Sequence, residues 1–175
     1  MMYTIYINIF TKRGVLFVKI AIGSDKSGFS LKEAVKADLI SKGHQVLDVG
    51  TQDMEHGVPY FEVAPKVAKL IQKNEYEKGI LCCGTGMGMS IVANKHKGIY
   101  AAVVESVYAA KKSRAINNAN ILTMGGWVIA PDMGIEIVDA FLNTEFTQDL
   151  EEWRKTFLKS AEKKVKELEE QIYMK

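Results

Sequence analysis

Between Val18 and Leu142 the chain alternates repeatedly between a short apolar, β-branched run and a stretch with helical spacing. No other feature limits the fold as much. Strands joined by helices through short turns lie parallel, and their continuous apolar character requires cover on both faces. The expected architecture is therefore α/β: a Rossmann-like, doubly wound parallel sheet in three α/β/α layers. Strands are expected at Val18–Ile22, Gln45–Val49, Gly79–Cys83, Ile99–Val104 and Asn120–Met124. Ser30 followed by Glu33 reads as a capping box, after which Leu31, Val35 and Leu39 mark one helix face up to a stop at Gly43. A second helix begins between Tyr60 and Pro65, because proline is tolerated only in a first turn. Further helices cover Met89 to Asn94, Val107 to Arg114 and Asp132 to Leu142.

A long C-terminal helix follows at about residues 149–173, carrying Trp153, Phe157, Ala161, Val165, Leu168 and Ile172 as one apolar stripe on a charged rod. Such a stripe needs a surface, either its own domain or another subunit, which points to a homodimer or homotetramer. With 175 residues, the chain has room for one core, here 17–175 including that helix. Residues 1–16 form an N-terminal extension whose structure the pattern leaves open. They lack a basic leader and a small-residue cleavage site, so they do not read as a signal peptide.

Composition removes several classes of function. No run approaches the roughly 18 apolar residues of a membrane span. The formal charge of +2 arises from interspersed lysines and acids, so there is no basic footprint for nucleic acid. The adjacent cysteines Cys82 and Cys83 suit neither an ordinary disulfide nor a two-ligand metal clip. Reduced thiols in the cytoplasm fit them. His44, His56 and His96 are scattered without metal-ligand spacing, so neither a metal nor another cofactor is expected.

The segment from Cys82 to Ser90 is where chemistry is most plausible. It is a glycine-rich turn between a strand end and a helix start, where backbone N–H groups favour negative charge. A dinucleotide fingerprint would need a third glycine where Met89 stands, although the acidic Glu105 lies about twenty residues on; a P-loop would need a Gly-Lys-Ser/Thr ending. A cysteine on the lip of such a turn is well placed to be a thiolate base. The bland alternative is a small buried apolar residue, which is the expected role of Cys82.

Taken together, Ile20 to Asp25, Gly50-Thr51, Gly79 to Ser90, Ala93-Asn94-Lys95, Gly98-Ile99 and Asn117 to Leu122 resemble the ribose-5-phosphate isomerase B and galactose-6-phosphate isomerase family, from about Val18 to Arg154. The resemblance implies an aldose–ketose isomerase of a small phosphorylated sugar working through a cis-enediolate. Cys83 would be the proton-transferring residue. Gly84, Gly86 and Gly88, with Thr85 assisting, would cradle the enediolate oxygen. Asp25 and Asn117 would contact sugar hydroxyls, Ser90 would line the same site, and Lys26 and Arg154 would hold phosphate, with Arg154 reaching a neighbour's site.

The chain also departs from the pattern. The resemblance places a ring-opening histidine where Ile116 stands, a histidine at Lys26, an arginine at Trp127 and a further phosphate-binding arginine at Leu150. One consequence is a substrate with no stable ring, such as a tetrose 4-phosphate. The alternatives are a cysteine-bearing subunit that needs a paralogous partner, as in the galactose-6-phosphate isomerase, or a non-catalytic sugar-phosphate binder.

Overall fold

The computed structural model describes residues 17–174; the N-terminal extension named above lies outside them. The elements run β1 (Lys19–Ser24), α1 (Phe29–Ser41), β2 (Gln45–Asp48), α2 (Tyr60–Gln72), β3 (Lys78–Cys83), α3 (Met87–Ala93), β4 (Ala101–Val103), α4 (Val107–Ala115), β5 (Ile121–Gly125), α5 (Pro131–Leu142) and α6 (Glu152–Tyr173). The strands form one parallel sheet in the order β2-β1-β3-β5-β4.

The three inner strands are the most apolar because both their faces are covered. Ile20, Ile22, Ile80, Cys82, Leu122 and Met124 point toward α1, α4 and α5. Ala21, Leu81, Cys83 and Ile121 alternate to the other face, against α2 and α3. The predicted Leu31, Val35 and Leu39 are the buried positions of α1. From β1 the chain winds outward to β2 and then returns to place β3 on the opposite side of β1. That reversal opens a crevice at the carboxyl ends of β1 and β3, the usual ligand site of open α/β sheets.

The start of α1 corrects one sequence expectation. Ser30 is not its cap: the helix already begins at Phe29, with Gly28 at the cap position and no side-chain cap bond. The turn is instead made by Asp25, whose Oδ1 accepts from the Gly28 N–H at 3.0 Å. Glu33 accepts from Lys36 instead of closing a capping box.

Lys32, also on α1, is completely buried. Its ammonium donates to Asp48 at 2.6 Å and to the Thr51 carbonyl, while Lys36 donates to the same Asp48 oxygen at 2.7 Å. Burial alone would raise the Asp48 carboxyl, but the hydrogen bonds from Lys32 and Lys36 outweigh it and hold the group below its ordinary range. A group with a depressed folded pKa contributes stability above its unfolded value, about 4, and that contribution is lost as pH falls through the folded value. Lys32→Met should therefore cost about 3 kcal/mol in urea unfolding at pH 7, and should flatten the loss of stability below roughly pH 4. Equal stability of the variant and the parent at pH 7 would show that the ion pair contributes nothing net.

The long helix α6 crosses the amino-terminal edge of the sheet. Glu162 accepts from Asn118 at 2.8 Å, Glu169 from the Gly98 N–H at 2.8 Å and Tyr100 Oη at 3.1 Å, and Glu170 from Lys97 at 2.6 Å. Its only buried residue is Leu158. Trp153, Phe157, Val165, Leu168 and Ile172 remain exposed in the single chain, so the stripe seen in the sequence is not consumed by the chain's own core. No helix among the described residues is long and apolar enough to cross a membrane.

Candidate active site

At the C-terminal end of β3 the strand delivers Cys83 directly into the turn Gly84–Gly86. Gly86 is the cap of α3 and has φ of +77°, a conformation that L side chains adopt at a cost. Its N–H donates to Cys83 Sγ at 3.1 Å, a bond that is stronger to a thiolate than to a thiol. The N–H groups of Gly88 and Met89, in the first turn of α3, have no intrahelical acceptor. Thr85 stands at the rim, half-buried, and its hydroxyl receives the Met87 N–H at 3.4 Å.

Two neighbouring loops hold this turn. From the β5–α5 loop, the Gly126 N–H donates to the Cys83 carbonyl at 2.7 Å and the Trp127 N–H to the Gly84 carbonyl at 3.0 Å. A side chain at Gly84 would stand 2.8 Å from the Trp127 ring, which explains the glycine there. From the β1–α1 loop, the Asp25 N–H donates to the Cys82 carbonyl at 3.3 Å. Ser24 lies opposite Cys82 in register, so Asp25 and Cys83 emerge side by side. Burial raises the Asp25 carboxyl above its ordinary value, against the opposing pull of the Gly28 and Ser27 N–H groups.

Cys82 and Cys83 are different kinds of thiol. Cys82 points to the α1 face with no exposure, and burial pushes its thiol far up, so it stays neutral. Cys83 lies on the opposite face, 5% exposed, with its sulfur tied to the loop. Lys26 is exposed; its ammonium donates to the Glu55 carbonyl at 3.2 Å, and its methylenes pack on Gly57.

Not every predicted site residue gathers here. Ser90 lies one turn into α3, but its hydroxyl donates to the Ala101 carbonyl at 3.2 Å and accepts from Asn94, so it anchors α3 to β4. Asn117 follows α4 and precedes β5. Cys83 is level with Gly125, the last residue of β5, whereas Ile121, the first, is level with Gly79. At about 3.3 Å per residue, Asn117 is roughly 13 Å or more below Cys83 along the strands. Arg154 begins α6 after the segment that Thr147 ties to Ala115, at that same far edge. Within one chain, Asn117 and Arg154 cannot meet a molecule bound at Cys83.

One wall of the site escaped the sequence reading. Tyr60 opens α2, and its ring would stand 3.0 Å from a side chain at Gly88, with Phe61 packed edge-on at 5.4 Å. The available signal was its position, since a helix start after β2 faces the same carboxyl edge. Among the described residues, no group of three or more histidines, cysteines and acids is arranged to hold a metal ion.

Comparison with known proteins places this geometry in context. The family model described as Ribose/Galactose Isomerase matches residues 20–156. A 4-deoxy-4-sulfo-D-erythrose isomerase of Clostridium sp. (strain MSTE9) is 60% identical over 158 residues, 90% of this chain and 99% of that one. A D-erythrulose-4-phosphate isomerase of Pectobacterium atrosepticum is 40% identical over 129 residues, 74% of this chain and 85% of its own. The solved ribose-5-phosphate isomerase B of Clostridium thermocellum superposes with a TM-score of 0.80 at 39% identity, covering 88% of this chain and 99% of that one.

Proposed function

Since this chain belongs to the ribose/galactose isomerase family, we propose that it interconverts the aldose and ketose forms of a four-carbon sugar whose C4 carries an anionic group, with Cys83 moving the proton. The carrying observation is Cys83 Sγ held at 3.1 Å by the N–H of a left-handed glycine, beside the first turn of α3, whose Gly88 and Met89 N–H groups have no intrahelical acceptor. In the forward direction the thiolate takes the proton from C2, and the C–H electrons form the C1–C2 double bond. The charge that develops on O1 is met by the loop N–H groups, where preorganised donors are most effective. The Cys83 thiol then returns the proton to C1, while the O2 proton leaves for O1, a transfer for which Thr85 is suitably placed at the rim.

Chain length follows from chemistry. A tetrose closes a furanose through O4; when that oxygen is esterified, or replaced by a carbon–sulfur bond, no furanose forms and no ring-opening base is needed. Ile116, which cannot transfer a proton, fits such a substrate. The 4-deoxy-4-sulfo-D-erythrose and D-erythrulose-4-phosphate isomerases among the relatives support the same reading.

The catalytic unit is a homodimer or larger assembly in which Asn117 and Arg154 of one protomer complete the partner's site. Their position at the far edge of their own sheet, next to an exposed apolar stripe, favours this arrangement. The purified protein alone should turn over 4-deoxy-4-sulfo-D-erythrose or D-erythrose 4-phosphate with kcat/KM at least about tenfold above D-ribose 5-phosphate, a difference of about 1.4 kcal/mol in barrier. A preference for the pentose would overturn the four-carbon reading.

A further inference from the structure

We infer that Trp127 is a specificity-determining residue that makes this site select a terminal sulfonate over a terminal phosphate. This rests on the four-carbon isomerase reading and adds the identity of the anion.

Trp127 cannot move independently of the reacting centre. Its N–H is bonded to the Gly84 carbonyl, and the preceding N–H, of Gly126, is bonded to the Cys83 carbonyl. The ring atoms Cε3, Cδ2 and Cζ3 lie over Gly84. The benzo side of the indole is therefore seated on the glycine turn, and the pyrrole side, which carries Nε1, lies farther from Gly84. Yet the residue is 74% exposed. A large aromatic group fixed on the turn that carries Cys83 and left open in the single chain is available as a wall of the assembled site, with one indole N–H as a donor.

The charge around this wall is low in cations. The loops at the carboxyl edge of the sheet, residues 25–28, 51–59, 84–86, 104–106 and 126–130, contain Lys26 as their one lysine or arginine, against the acids Asp25, Asp53, Glu55 and Glu105. A phosphate monoester carries about −1.5 to −2 charges at pH 7, with a second pKa of about 6. Arg154 of the partner protomer adds one guanidinium, so the assembled site sets two cations and a neutral indole beside these acids, and a dianion stays less compensated there than a monoanion. A sulfonate is a monoanion at all working pH values and is more weakly hydrated. One ammonium, the partner's guanidinium and one indole N–H suit it better. The similarity to a 4-deoxy-4-sulfo-D-erythrose isomerase is in accord with this.

The test compares kcat/KM for 4-deoxy-4-sulfo-D-erythrose and D-erythrose 4-phosphate in the parent protein, Trp127→Arg and Trp127→Phe. The parent should prefer the sulfonate. Trp127→Arg should move the ratio toward phosphate by about tenfold or more, mainly through KM, as expected for a charge-assisted contact. Trp127→Phe keeps the ring on Gly84 but lacks the N–H, and should lose about three- to tenfold on the sulfonate alone. The parent's preference should also shrink as pH is lowered through about 6, where the phosphate becomes a monoanion, and this pH dependence should be weaker in Trp127→Arg, whose added cation compensates the dianion; a purely structural role for the indole would leave it the same in variant and parent.

Variants that keep the parent's ratio and its pH dependence, in protein that still isomerises either sugar, would overturn this inference alone. If the parent isomerises neither, the four-carbon reading has failed instead.

Discussion

Replacing Cys83 with alanine should reduce isomerase turnover by about a thousandfold or more, near the upper part of the range for removing a general acid–base group. Cys83→Ser should be nearly as inactive, because a serine hydroxyl in the same place remains protonated at neutral pH. Neither change should unfold the protein: Cys83 is a small side chain at the end of β3, beside the turn and not at the centre of the sheet. The expected result is a variant with the parent's thermal midpoint to within a few degrees, on the scale of about 1 kcal/mol, and unaltered binding of the sugar. Loss of both activity and fold would mean that the sulfur is mainly a packing group. The matching substitution Cys82→Ala tests the contrast between the two thiols. It should lower stability by opening space in the α1 face, while leaving turnover in the remaining folded protein close to that of the parent.

The second large effect is expected from mixing two inactive proteins. Cys83→Ala lacks the base, and the double variant Asn117→Ala/Arg154→Ala lacks the groups that lie on the far edge of the sheet. If those groups complete the partner's site, a heterodimer of the two contains one site with all the defects and one with none. Random reassociation of equal amounts into dimers makes about half of them heterodimers, so about one quarter of parental activity should return. No recovery, with mixed dimers demonstrated by mass, would mean that each site is built from a single chain. The sheet register argues against that outcome, because Asn117 and Cys83 are at opposite ends of the strands they adjoin.

Much of the fold could be read directly from the chain, for a physical reason. Strands buried on both faces have few polar residues, so Lys19–Ser24, Lys78–Cys83 and Ile121–Gly125 stand out as continuous apolar runs. The glycine turn after Cys83 was legible because left-handed backbone selects glycine, as Gly86 does. What escaped depends on segments distant in the sequence. Nothing in the alternation indicates that β5 enters between β3 and β4. Lys32 looks like an ordinary helix-surface charge until β2 brings Asp48 and the Thr51 carbonyl to it. Ser30 and Glu33 have the spacing of a capping box, yet Asp25 makes the turn and the cap falls at Gly28, two residues too early for them.

The candidate site divides in the same way. Asp25, Lys26 and Cys83 to Gly88 sit at the ends of neighbouring strands, where the strand-to-helix pattern already puts them. The hydroxyl of Ser90 is directed at β4 because the helix turns it under, a rotation that depends on where Gly86 starts α3. Asn117 and Arg154 could be recognised by resemblance, but their distance from Cys83 required the direction of β5 and the path of α6.

The most direct test of the central claim is solvent deuterium incorporation during equilibration of 4-deoxy-4-sulfo-D-erythrose or D-erythrose 4-phosphate with the purified protein, followed by NMR. Deuterium is expected at the C2 position of the recovered aldose, formed together with the ketose and lost on Cys83→Ala. Exchange that persists without the Cys83 sulfur, or isomerisation absent for both four-carbon sugars while a pentose phosphate is turned over, would contradict it.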